Sequence, residues 1–154
     1  MEKILIGISG SRTKKHPNKM ELDHLIYQQL KAIVLVCDKA RVTFVSGGAK
    51  SGADEQIRLV CQDLGYEYDG DTYKPDFSNG YAVWKFFDRN KRMARDITTG
   101  YCFWDGKSKG TKHFIDYMNK LISKGERKFL VIISWDSLLV KSQRKLTVTN
   151  LLNP

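Results

Sequence analysis

Thr43-Phe44-Val45-Ser46-Gly47-Gly48-Ala49-Lys50-Ser51-Gly52-Ala53-Asp54 carries an apolar, β-rich run into a glycine-rich bend, and a helical pattern starts at once after it. A chain builds a cradle for phosphate in this way. Glycine lets the backbone come close to an anion and take positive φ. The free N–H groups and the dipole at the start of the helix favour negative charge. The stretch also sets the fold, because a strand that turns directly into a helix is half of a βαβ unit.

The rest of the chain repeats that grammar. Residues 3–8 form a near-continuous apolar run, suited to a strand buried on both faces. A polar loop follows, from Ser9-Gly10-Ser11-Arg12 to Lys19, with Pro17 inside it. From Glu21 to about Val36 apolar residues recur at helical spacing, and Arg41 to Val45 reads as the second strand. Ala53 to Leu64 is the next helix, with Gly65 as its stop. Tyr66-Glu67-Tyr68 reads as a short strand and Asp69 to Gly80 as loop. Tyr81 to Ile97 is a third helical pattern anchored by Val83, Trp84, Phe87 and Met93. Thr98 to Trp104 is a fourth strand, Thr111 to Ser123 a helix, and Phe129 to Ile133 a fifth strand as apolar as the first.

This alternation predicts an α/β fold, a Rossmann-like doubly wound, mainly parallel five-stranded sheet with helices on both faces. Residues 1–133 form that domain. Residues 134–154 form a C-terminal extension that packs on the domain or on a partner subunit. Within it, Leu138-Leu139-Val140 and Leu146-Thr147-Val148 suit an added strand, a sheet-edge contact or a subunit interface.

At 154 residues the chain fits one domain with a sizeable core. No apolar run approaches the length of a membrane span, and the N-terminus lacks a signal-peptide pattern, so a cytoplasmic protein is expected. Cys37, Cys61 and Cys102 match no zinc spacing and read as small hydrophobes, and His16, His24 and His113 are scattered, so no metal site is expected. The net charge of +9 invites a polyanion, either nucleic acid or a small nucleotide.

In a sheet of this type, ligands bind outside the carboxyl ends of the strands. Three loops lie there: Ser9 to Lys15, Ser46 to Asp54, and Asp105-Gly106-Lys107-Ser108-Lys109-Gly110-Thr111. Each combines glycine, hydroxyl and cation, so part of the charge converges on one rim. The chain has no G-x-x-x-x-G-K-[ST], which argues against a P-loop nucleotidase. Arg12 is either an exposed loop cation or a phosphate partner. Asp54 either caps its helix or contacts the ligand. Asp105 is either a turn residue or an acceptor for a ribose or base. Arg89 and Asn90 either belong to a solvated basic face or reach back to the rim. Tyr81, Trp84, Phe86 and Phe87 read as core or interface rather than as a base-stacking platform.

These blocks, taken with Met93 and with Phe103-Trp104 and Lys112-His113 flanking the last of them, resemble the YspA/YpsA-type branch of the SLOG superfamily over about residues 4–133. That superfamily has a Rossmann-like fold and includes the DNA-processing protein DprA and the "lonely guy" phosphoribohydrolases. The resemblance implies a pocket for a nucleotide or nucleotide-derived ligand of ADP-ribose or cyclic-nucleotide type. It implies a sensor or sequestering protein in phage or immune signalling. A homo-oligomer, dimer or higher, is expected as well. Its implied ligand contacts are Gly10, Ser11, Arg12, Ser46, Gly47, Gly48, Lys50, Gly52, Asp54, Arg89, Asn90, Asp105, Gly106, Lys107, Ser108, Lys109, Gly110 and Thr111. The phosphoribohydrolases carry P-G-G-x-G-T-x-x-E; here Gly110-Thr111 survives, and Phe114 stands where the catalytic Glu would be. That departure favours binding over cleavage. The alternatives are a hydrolase of the N-glycosidic or phosphodiester bond, with Asp54 or Asp105 as catalytic candidates, and a DprA-like single-stranded nucleic-acid binder.

Overall fold

The structure is a computed structural model that describes residues 2–152, and side chains for residues 2–144. The elements follow as β1 (Ile4–Gly10), α1 (Lys19–Leu35), β2 (Val42–Ser46), α2 (Ala53–Leu64), β3 (Glu67–Asp69), α3 (Val83–Asp96), β4 (Thr99–Trp104), α4 (Lys109–Ser123), β5 (Phe129–Ser134) and α5 (Trp135–Leu152). The five strands form one sheet in the order β3-β2-β1-β4-β5, and every pairing is parallel. This is the Rossmann-like α/β architecture that the strand–helix alternation predicts.

Strand side chains alternate between two cores, as the two-residue period of a strand requires. Ile4, Ile6 and Ile8 of β1 and Phe44 of β2 pack with α1 and α2, whereas Leu5 and Val45 pack with α3 and α4. On the first face α1 lays down Leu22, Ile26, Leu30 and Val34 at four-residue spacing, all fully buried. Burial of such a side chain contributes roughly 1.5–3 kcal/mol each. On the second face Met93, Phe114 and Met118 fill the space under Gly100, where a Cβ would already touch Ile97, Phe114 and Met118. Strand order reverses around β1: the chain builds outward through β2 and β3, then crosses to β4 on its other side. The cleft at that reversal is where the candidate loops meet.

Three expectations need correction. Tyr81, Val83 and Trp84 are not core anchors: Tyr81 precedes α3 and is 73% exposed, and Trp84 is 64% exposed. The buried stretch of α3 begins only at Asn90, because the turns before it stand at the rim of the sheet rather than over it. β5 is not buried like β1. It is an edge strand, and Phe129, Val131 and Ile132 are exposed. The tail adds no strand. Residues 138–140 lie in α5, which Trp135 and Leu138 anchor in the core beside α1. The side chains of Leu146, Thr147 and Val148 lie outside the described residues.

Candidate ligand-binding site

The loop between β2 and α2 is held open by its own side chains. Ser46 Oγ, buried behind the loop, accepts from the Gly48 amide at 3.1 Å and pairs with Tyr68 Oη at 2.7 Å. Gly48 has φ of 75°, and a Cβ there would run into the Gly70 carbonyl. Gly47 lies directly against the Arg89 guanidinium, so any side chain at 47 would displace it. Asp54, at the start of α2, is buried and accepts from the Ala49 amide at 3.1 Å. Burial pushes its pKa up to about 6, while Arg89, the Ala49 amide and Arg12 pull the other way. Arg89 is perturbed in the complementary sense: burial lowers its pKa, and Asp54 opposes that change.

A second set of bonds ties the loops after β1 and β4 together. The Ser11 amide donates to the Phe103 carbonyl at 2.9 Å. Ser11 Oγ accepts from the Asp105 amide at 3.1 Å and meets Thr111 Oγ1 at 3.3 Å. Asn90, on α3, donates from Nδ2 to the Gly110 carbonyl at 3.0 Å and accepts from Arg89 Nε at 3.0 Å. Asn90 therefore aims Arg89 and pins the start of α4 with one amide.

Among the cavities that open on this rim, two meet at Arg12 and Arg89. The first, about 600 Å³, is lined by Gly47, Gly48 and Ala49 and by six cations, Arg12, Lys14, Lys19, Lys50, Lys74 and Arg89, against one carboxyl, Asp54. The second, about 460 Å³, is lined by Ser11, Asn90 and Ser108 to Thr111, with Tyr81, Val83, Phe86 and Phe87 as its apolar wall. Ser9, Gly10, Arg12, Phe86 and Arg89 line both, so the two form one groove with two lobes. Volumes of this size are usual for small-molecule sites.

Of the residues proposed from the sequence, Gly10, Ser11, Arg12, Gly47, Gly48, Lys50, Asp54, Arg89, Asn90, Ser108, Lys109, Gly110 and Thr111 come together on the groove. Ser46 and Gly52 stand behind it, and a Cβ on Gly52 would meet the Ser11 carbonyl at 2.6 Å. Asp105, Gly106 and Lys107 line neither lobe. The Asp105 carboxylate is occupied by its own loop: Oδ1 accepts from the Lys107 and Ser108 amides, and Oδ2 from Ser108 Oγ, each at 2.8 Å. Partial burial works against its ionisation, but the Ser108 and Lys107 bonds outweigh that and its pKa is lowered. An acceptor already filled this way orders the start of α4 and has no proton to give. Phe114 is fully buried in the second core, so the position of the phosphoribohydrolase Glu faces away from the groove.

The structure adds Lys19, Lys74, Phe77 and Phe86 to the groove. Phe86 and Arg89 sit one helical turn apart, a spacing visible in the sequence once α3 is placed at the rim. Lys74 and Phe77 had no such signal. They arrive because the segment after β3 folds back over Gly48 and is held to α3 by a 2.6 Å bond from Tyr73 Oη to Asp96. Among the described residues, no group of three His, Cys, Asp or Glu side chains is placed to hold a metal ion, and no helix is long and apolar enough to cross a membrane. Burial pushes the Cys61 and Cys102 thiols up to about 12, which removes them as nucleophiles.

No protein-family model matches the chain, and no curated protein matches its sequence. Solved structures do match. The molybdenum cofactor binding protein from the phototrophic bacterium Rippkaea orientalis superposes with a TM-score of 0.59 at 14% identity, over 97% of this chain and 86% of that one. The molybdenum cofactor carrier protein of Chlamydomonas reinhardtii gives a TM-score of 0.52 at 14% identity, over 95% of this chain and 99% of that one. DNA processing protein A from Streptococcus pneumoniae gives 0.41 at 14% identity, over 90% of this chain and 61% of that one. At such identity the likeness is one of fold: the chain has the Rossmann-like α/β fold of the two molybdenum-cofactor-binding proteins.

Proposed function

We propose that the protein binds a nucleotide or nucleotide-derived ligand, of ADP-ribose or cyclic-nucleotide type, at the glycine-rich rim, and acts as a cytoplasmic sensor or sequestering protein, as phage or immune signalling requires. One observation carries this reading: six cations and the bare backbone of Gly47 and Gly48 face a single cavity that holds one buried carboxyl. Such a cavity suits several phosphate oxygens at once, through backbone amides and guanidinium forks. Two proteins of the same fold bind or carry the molybdenum cofactor, so that cofactor belongs among the ligands to be tried.

The test is a thermal-shift panel of ADP-ribose, cyclic nucleotides, nucleoside polyphosphates and the molybdenum cofactor. A ligand at about 100 times its Kd stabilises the folded state by about 2.7 kcal/mol. Gly47→Val, which pushes Arg89 off the loop, is expected to abolish the shift while the unliganded protein stays folded. A flat panel, or an undiminished shift in the variant, would overturn the proposal.

Hydrolysis of the same ligand is the second reading. It is favoured by Asp54, whose pKa, raised by burial to about 6, lets it hold a proton beside the anion cavity up to about that pH. Intact ligand recovered after denaturation speaks for binding, and product in a single turnover speaks for Asp54 as an acid. Nucleic-acid binding would instead show an affinity that falls steeply with salt.

We also propose that the chain forms a homo-oligomer, dimer or higher. The support is the edge strand β5, where Phe129 and Val131 leave an apolar strip in water on the α1 side of the sheet.

A further inference from the structure

The two lobes of the groove differ in chemistry. The glycine-rich lobe holds six cations, whereas the other adds only Lys109 to the shared Arg12 and Arg89 and is walled by aromatic and apolar side chains. Two of those rings, Tyr81 and Phe86, are joined by Phe77, which lines the glycine-rich lobe. Phe77 stacks on Tyr81 with centroids 5.5 Å apart and planes 26° apart, and both contact Phe86, at 5.2 and 6.0 Å. The Arg12 and Arg89 guanidinium groups each lie 5.8 Å from the Phe86 ring, at the neck between the lobes. The cluster is held in place before any ligand arrives: Lys85 Nζ donates to the Asp76 and Gly80 carbonyls at 2.8 and 2.9 Å, fastening the ring-bearing loop to α3. Burial does not account for Tyr81, which is 73% exposed at the mouth of the second lobe.

We infer that the second lobe is a stacking subsite for a planar heteroaromatic ring, and that the ligand spans both lobes, with its ring against Tyr81 and Phe86 and its phosphates passing Arg12 and Arg89 into the glycine-rich lobe. The ligand class is a nucleoside polyphosphate or another heteroaromatic compound that carries several phosphate groups. Every base has a π-face, so such a platform gives affinity with little choice of base, and the two arginines at the neck pair with the phosphates that pass them. The inference rests on the proposed anion cavity and deepens it.

The probes are ATP, GTP and inorganic tripolyphosphate, titrated by calorimetry into the wild-type protein, Tyr81→Ala and Tyr81→Phe. Tyr81 is exposed, so its loss leaves the core intact. ATP and GTP are expected to bind at least about tenfold more tightly than tripolyphosphate. Tyr81→Ala is expected to remove about tenfold from both nucleotides and nothing from tripolyphosphate, and Tyr81→Phe to restore them. Equal affinity for nucleotide and tripolyphosphate, with no effect of Tyr81→Ala, overturns the stacking subsite while the anion cavity stands. Binding of none of the three overturns the inferred subsite and its ligand class, while the thermal-shift panel with ADP-ribose, cyclic nucleotides and the molybdenum cofactor decides the anion cavity separately.

Discussion

At the scale of single residues, Asp54 is the most exacting position in the groove. It is a buried carboxyl among cations, at the first turn of α2, and it also holds the Ala49 amide. Burial outweighs Arg89 and lifts its pKa from the usual 3.8 to about 6. Between those values the folded protein keeps a proton that the unfolded chain has released. Stability is therefore expected to fall as pH rises from about 4 to about 6, and to level off above, with an amplitude of about 3 kcal/mol. Asp54→Asn keeps an oxygen for the Ala49 amide and is expected to flatten that slope. Urea melts at several pH values check this, and an unchanged slope in the variant would assign it to another group. The neighbouring carboxylate Asp105 takes the opposite course. Its sequence setting is as suggestive as that of Asp54, yet three bonds from Lys107 and Ser108 turn it into the loop. Residue type and position between a strand and a helix were legible for both. The direction of the carboxylate was not, because it depends on which local N–H groups the loop leaves unpaired.

At the scale of elements, α3 carries two kinds of surface in one helix. Its later turns bury Met93 and Ala94 against the sheet, while its first turns present Phe86 and Arg89 to the groove. An apolar helical period reads the same in both cases, and so the aromatic anchors looked like core. The loop before α3 depends on Lys85, whose ammonium spans the Asp76 and Gly80 carbonyls. Lys85→Met is expected to speed hydrogen exchange at amides 77–82 by about tenfold while global stability changes by less than about 1 kcal/mol. Unchanged protection there would mean that the ring stacking alone holds the loop. β5 makes a related point. A continuous apolar run fits a central strand, and only the sheet order, with β5 at the edge, exposes it.

At the scale of the whole molecule, two surfaces stand apart: the groove, where cations and aromatic rings meet, and the edge strand β5. The groove gathers Arg12, Lys14, Lys19, Lys50, Lys74, Arg89 and Lys109 at the carboxyl ends of the strands. The apolar strip of Phe129 and Val131 lies on the sheet face toward α1, where their strand neighbours Tyr101 and Ile133 join that core. Exposure of that kind stabilises association of copies. If copies associate through β5 as proposed, Val131→Lys is expected to give a monomer at micromolar concentration where the wild type is an oligomer, read by light scattering after gel filtration. A wild-type monomer, or a variant of unchanged mass, would remove β5 as the interface. The fold of the chain should survive the substitution, because Val131 is already 40% exposed.

The order of strands and helices was decided by the sequence alone. Apolar periodicity, glycine stops and β-to-α bends act over a few residues, and a parallel sheet follows from their alternation. The same local logic placed three glycine-bearing loops on one rim. Which side chains meet there was decided only by the tertiary structure. Ser11 reaches Thr111 across 100 positions of chain, and the segment after β3 brings Lys74 and Phe77 over Gly48. Burial, charge pairing and the direction of a ring are properties of neighbours distant in sequence. They turned a generic anion cradle at Ser46 to Asp54 into one lobe of a groove whose other lobe is aromatic.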